Sequence, residues 1–168
     1  MATSSPIILP AMSWWPAPTL SGLLSFYSGA ATNRPVWLLD GSAENKGIVN
    51  GFRVPANFAS APVLYIDWMS GAADQSQIPA LTAAVVCVAA AEDLDGKSLD
   101  AVNTATDETT PADYAAHDLV QSYITLTNND TMAAGEYCTI TLYVNNTNWT
   151  LTTGPCMFLG GVLEYVTT

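Results

Sequence analysis

The stretch "YCTITLYV" (137–144) limits the possible folds more than any other part of the chain. Cys138, Ile140, Leu142 and Val144 fall at every second position, and Tyr137, Thr139, Thr141 and Tyr143 occupy the positions between them. A period of two sends alternate side chains to opposite faces of a pleated strand, whereas a helix would scatter them around its axis. One face is apolar enough for a core. The other, aromatic and rich in threonine, suits a strand covered by a loop or by another subunit. A half-buried strand is not stable alone, so the chain must supply others to pair with it.

Further segments of this kind follow one another from residue 34 onward. "PVWLLD" (35–40) opens on a proline, which fits the first position of a strand or an edge because it has no N–H for a ladder. "GIVNGFRVP" (47–55) and "PVLYIDWM" (62–69) flank "ANFASA", a loop of ordinary length for two paired strands. "ALTAAVVCVAAA" (80–91) has the alanine content of a helix, but its short, valine-rich centre reads as a buried strand. "LVQSYITLT" (119–127) and "CMFLGGVLEYV" (156–166) are strands too, the second with a glycine pair that permits a bulge or a close backbone approach. Residues 92–118, rich in acids, form a long surface excursion. Seven or eight strands, irregular connections and no helical period predict an all-β, antiparallel two-sheet β-sandwich, a jelly roll over residues 36–168. An immunoglobulin-like sandwich is the alternative and lacks the expected Cys, Trp, Cys spacing.

Residues 1–35 differ. They are rich in Pro, Ser, Ala and Thr, and their apolar clusters "IILP" and "SWWPAP" have neither period, so they read as an extended N-terminal arm. Adjacent tryptophans need cover, from the chain's own domain or from a neighbouring subunit. Ile7, Ile8, Leu9, Trp14 and Trp15 are therefore the candidate partner interface. The segment has no cationic start and is broken by prolines, which argues against a signal peptide or membrane span and for synthesis in a cytoplasm.

Four Lys and Arg against fifteen Asp and Glu give a net charge of -11, which disfavours nucleic acid and anionic membranes as partners. Only 11% of residues are charged, few for a solitary small domain, so partners are expected to cover part of the surface. Cys87, Cys138 and Cys156 form no CxxC pair and read as reduced core or near-core thiols, with a disulfide open to one pair. His117, the only histidine, has no nucleophile motif around it. Asp93, Asp95 and Gly96 match the third, fifth and sixth positions of a calcium loop, but Ala91 and Val102 stand where the first and last ligands belong. No metal or cofactor is expected. Asp67 and Glu164 are strand acids that glycoside hydrolysis could use, yet a solvent-face role is simpler and the chain reads as a non-enzyme. Trp37, Trp68 and Trp149 could stack on sugars, although core or interface roles account for most of them.

Taken in order, the arm, the block "WLLDGSAENKGIVNGFRVPANF", a strand ending in "IDWM", a valine strand, an acidic "EDLDG" loop, "ITLTNNDTMAAGEYCTITLYV" and a closing "FLGGVLEYV" resemble the jelly-roll virion proteins of tailed bacteriophages. These include capsid decoration (cement) proteins and head-fibre or tail-associated modules, and the likeness covers residues 36–166. It implies a structural protein of the virion, a homotrimer on the outer surface of the icosahedral head that binds the major capsid protein. A receptor- or glycan-binding module of a fibre or tail is the alternative. The resemblance also implies a role for Arg53: Pro55 stops the ladder, so the guanidinium at the strand end acts as a structural clamp on a carboxylate or free carbonyl. The penultimate strand departs from the pattern, since "LYVNN" stands where such proteins often carry arginines. Because the acidic loop lacks a complete ligand set, a chelator should leave the melting temperature within about a degree of its untreated value; a large drop in a thermal melt would reinstate a calcium site.

Overall fold

A computed structural model describes residues 4–17, 22–28, 33–40, 46–71, 74–75, 79–93, 102–103, 113–145 and 156–168. One sheet holds β1 (Ser4–Pro10), β3 (Leu23–Ser28), β4 (Asn33–Leu39), β6 (Phe58–Ser70), β11 (Val120–Thr125) and β13 (Cys156–Thr167). Its order is β11-β6-β13-β4-β3, with β1 also paired to β13. The second sheet runs β2 (Trp15–Pro16), β5 (Gly47–Arg53), β12 (Tyr137–Val144), β8 (Leu81–Val88), β9 (Val102–Asn103). A short ladder joins β7 (Asp74–Gln75) to β10 (Asp113–Tyr114). Every pairing among the described residues is antiparallel.

From β4 onward the long strands alternate between sheets: β4, β6, β11 and β13 in the first, β5, β8 and β12 in the second. Late strands then insert between early ones, β12 between β5 and β8, and β13 between β4 and β6. The chain is thus an all-β, two-sheet antiparallel sandwich of jelly-roll type. The alternation seen in "YCTITLYV" is realised as expected, with Cys138, Ile140, Leu142 and Val144 fully buried between the sheets. Leu64, Ile66 and Trp68 of β6 and Phe158 and Leu163 of β13 meet them from the first sheet. Strand β8 is buried on both faces, because Thr82, Ala84 and Val86 are covered as well as Leu81, Ala83, Val85 and Cys87. Its alanines reflect that crowding rather than helical propensity.

Three expectations need correction. The first concerns the arm. Ser4–Pro10 forms a seven-residue ladder with β13, from Ser4 opposite Val166 to Pro10 opposite Gly160, and Leu23–Ser28 pairs with β4. Residues 4–17 therefore belong to the sandwich. Burial alternates along this strand, with Ile7 and Leu9 turned inward and Pro6, Ile8 and Pro10 outward, but an Ile-Ile-Leu run flanked by prolines hides that period in the sequence. Second, "ANFASA" is not wholly a loop, since β6 already begins at Phe58. Ala61 takes a left-handed φ of 52°, and the register with β13 shifts beside it, so a bulge carries Pro62 within the strand. Third, the cysteines are not all reduced. Cys87 and Cys138 face each other across β8 and β12 and are joined as a disulfide, while Cys156 is free and buried.

The disulfide closes a loop with a sequence separation of 51 that includes the acidic excursion. By loop-closure entropy it is worth about 4 kcal/mol. Thiol titration of the denatured, unreduced protein should count one cysteine, Cys156, and not three. Reduction should lower the melting temperature by about 10 °C; three reactive thiols without reductant would show that the bond does not form.

Candidate functional site

The segment between β1 and β2 leaves one sheet and enters the other within a few residues. A single 3-10 turn, Ala11–Ser13, makes the crossing, and Trp15 then lies opposite Val49 of β5. Such a crossing leaves backbone carbonyls between the sheets that need donors. Trp37 Nε1 of β4 donates to Ala11 O at 2.9 Å, and Asn50 Nδ2 of β5 donates to Ser13 O at 3.0 Å and to Ser13 Oγ at 2.6 Å. Trp14 turns inward, donates from Nε1 to Leu9 O at 3.1 Å and sets its ring edge-on against Phe158 at 5.1 Å. Each sheet thus holds the crossing by one buried side chain.

Because Trp14 points in, its neighbour points out. Trp15 is 70% exposed, and it is one of several large apolar side chains left open to solvent. Among the described residues these are Ile8, Met12, Trp15, Leu24, Leu119 and Tyr137, and of them Met12, Trp15, Leu24 and Leu119 line two hollows beside the crossing. A groove of about 610 Å³ runs along the open side of the sandwich between β2 and β3, walled by Met12, Trp15, Pro16 and Leu24, with Trp14 and Trp37 also lining it. Gly22 belongs to the same wall. A Cβ there would come within 2.9 Å of Ile48 and 3.1 Å of Leu39, so only glycine lets the chain pass this close to the core. On the other side of Met12 lies a second hollow of about 400 Å³, lined by Arg34, Asp67, Leu119 and Leu159 among others.

The five residues expected to meet a partner are therefore divided by the ladder. Leu9 and Trp14 are buried and Ile7 packs on the core, whereas Ile8 and Trp15 face solvent. Alternation in β1 and the turn after it decides which side chain goes where. Arg53 lies at the end of β5, where Nη1 donates to Gly135 O at 2.5 Å and ties the strand to the loop before β12. A small hollow beside it, about 150 Å³, also takes in Val88, Ala89, Ala90 and Tyr137. Trp37, at 4% exposure, contributes little to the groove it lines, and Trp68 is fully buried with its Nε1 donating to Ser122 Oγ at 2.9 Å, so neither offers an open stacking face like that of Trp15. Trp149, Asp95 and Gly96 lie outside the described residues.

Asp67 and Glu164 do not form a hydrolytic pair. Glu164 stands opposite Val63, four residues along β6 from Asp67, which at strand rise is about 13 Å, beyond the reach of either glycosidase geometry. Cys87, Glu136 and Cys138 place potential metal ligands within 4.8 Å of one another, but the sulfurs are bonded to each other and offer no thiolate. Burial raises the Tyr143 hydroxyl above its ordinary pKa.

No family model matches the chain, and no curated protein does. Solved structures similar in overall course include a family 35 carbohydrate binding module from Clostridium thermocellum, with a TM-score of 0.45, 10% identity, and 95% of this chain and 97% of that one covered. Another is the mannan-recognising carbohydrate-binding module TmCBM27, with a TM-score of 0.46, 10% identity, and 98% and 99% covered. What those modules bind is a property of those modules.

The two adjacent tryptophans should behave in opposite ways. Trp14→Ala removes a buried ring and a hydrogen bond and should cost about 3–5 kcal/mol in denaturant unfolding. Trp15→Ala should change stability by less than about 0.5 kcal/mol. Equal losses in the two variants would mean that Trp15 is covered in solution.

Proposed function

We propose that this chain is a non-catalytic binding module and that its ligand is a glycan held in the groove against Trp15. The observation that carries this reading is the position of the indole. It is exposed, yet its backbone is fixed by a ladder to β5 and by a neighbour locked in the core. A ring held in this way offers a flat apolar face at low entropic cost, suited to the C–H face of a pyranose. Met12, Pro16 and Leu24 supply a concave apolar wall, and hydrogen-bonding groups lie just beyond it, which is the usual composition of a small-molecule site. The bacteriophage resemblance supplies a setting for such a module, at a fibre or tail that meets a cell-surface glycan. A disulfide also suits a protein that works outside a reducing cytosol.

The width of the exposed patch favours a second reading. Ile8 on β1 adds an exposed aliphatic side chain that lines neither hollow and that a sugar would not need, and such a surface fits a capsid decoration protein docking on a major capsid protein. The two are separated by a glycan array followed by titration of the best neutral oligosaccharide with tryptophan fluorescence as the readout. We expect saturable binding, weakened about tenfold or more by Trp15→Ala. An array without hits, together with hundreds of copies per purified particle, would support the decoration role instead.

A further inference from the structure

The second hollow has a chemistry that the Trp15 groove lacks. Its shape follows from the strand pairing: Gly160 of β13 lies between Pro10 on β1 and Asp67 on β6, and the Leu9–Ala11 backbone packs against it where a side chain would stand, which brings Pro10, Ala11 and Met12 to one side of the hollow and Asp67 to the other. The register shifts at the same point, between Phe158 and Gly160, and Leu159 lines the hollow beside it. Two groups of opposite charge stand on its walls. Asp67 accepts a hydrogen bond from Gln121 Nε2 through Oδ1 at 3.0 Å, and its Oδ2 has no partner among the described residues. Arg34, exposed at the start of β4, likewise has no side-chain hydrogen bond or ion pair among them. Met12 borders both hollows, so they are neighbours separated by one exposed, flexible thioether.

We infer that the hollow is a second sugar subsite and that the protein binds a linear oligosaccharide lying across both hollows, not a single terminal sugar. This rests on the glycan reading of the Trp15 groove. A sugar hydroxyl donates and accepts at once, so neighbouring hydroxyls on one ring can donate to Asp67 Oδ2 and accept from Arg34, which neither an apolar ligand nor a simple anion can do. Leu119 and the prolines on the rim cover the ring's C–H surface, and Met12 underlies the linkage between the two sugars. The Trp15 groove then supplies apolar contact, and the Arg34–Asp67 hollow supplies orientation and length selection.

The test is titration of the full chain with a neutral oligosaccharide series, from one sugar to six, of the linkage that binds best. Affinity should rise about tenfold or more between one sugar and the length that fills both hollows, then level off. Arg34→Ala and Asp67→Asn should each cut that gain to less than about threefold, since each removes one charged hydrogen bond. Trp15→Ala should weaken short and long sugars alike. Thermal melts of the same variants report whether they are folded, and both polar positions are at the surface. If affinity does not depend on length, or if the gain persists in both polar variants, the second subsite is wrong while the Trp15 reading stands. If no sugar of any length binds, both fail.

Discussion

The crossing between β1 and β2 is the constraint on which the rest depends. A chain that passes from one sheet to the other must bring its peptide groups through a dry region, where an unpaired carbonyl costs a few kcal/mol. Here Trp37 reaches the crossing from one sheet and Asn50 from the other, so the two layers are joined by hydrogen bonds as well as by apolar contact. Asn50 faces the core among Ile48, Phe52 and Ile140, a position that would be unfavourable for an amide without Ser13 to receive its protons. Removing either partner would leave a buried polar group unsatisfied, and that penalty exceeds the value of the bond itself.

The same crossing creates the exposed surface. Successive residues in extended backbone point in opposite directions, so seating Trp14 against Phe158 obliges Trp15 to leave the core. The packing of Trp14 and the exposure of Trp15 are therefore coupled through one peptide bond: whatever fixes the first ring also fixes the backbone of the second. Glycines shape the two depressions in different ways. Gly22 admits the chain against Ile48 and Leu39 at one wall, and Gly160 admits the Leu9–Ala11 backbone against β13, beside Asp67, at the other.

The opposite end of the sandwich is closed by different means. Cys87 and Cys138 bond β8 to β12 directly across their shared ladder, and Asp130 Oδ2 accepts from the Cys87 N–H at 2.9 Å, drawing the loop before β12 onto β8. Arg53 draws the same loop onto β5. In a chain with so few cations, each one spent on a carbonyl lowers the number left for surface ion pairs, so the fold relies on burial, ladders and one covalent link.

The strands that carry the jelly roll were legible because their periodicity is local: "YCTITLYV" and "PVLYIDWM" each announce a pleated segment with one apolar face, and the breaker residues between them mark most of the turns. The N-terminal strands were not. Ser4–Pro10 owes its conformation to the free edge of β13, which lies at the far end of the sequence, and nothing within "SSPIILP" reveals that edge. The candidate site was half legible for the same reason. Composition alone shows that adjacent tryptophans must meet something, but which ring is buried depends on the phase with which the chain enters the crossing. Likewise the register of two strands, which sets Cys87 opposite Cys138 and Gly160 opposite Asp67, is a property of long-range pairing. By itself the sequence determined the class of fold and the residue types available for recognition; the tertiary structure alone decided which of them share a face, because facing is set by partners distant along the chain.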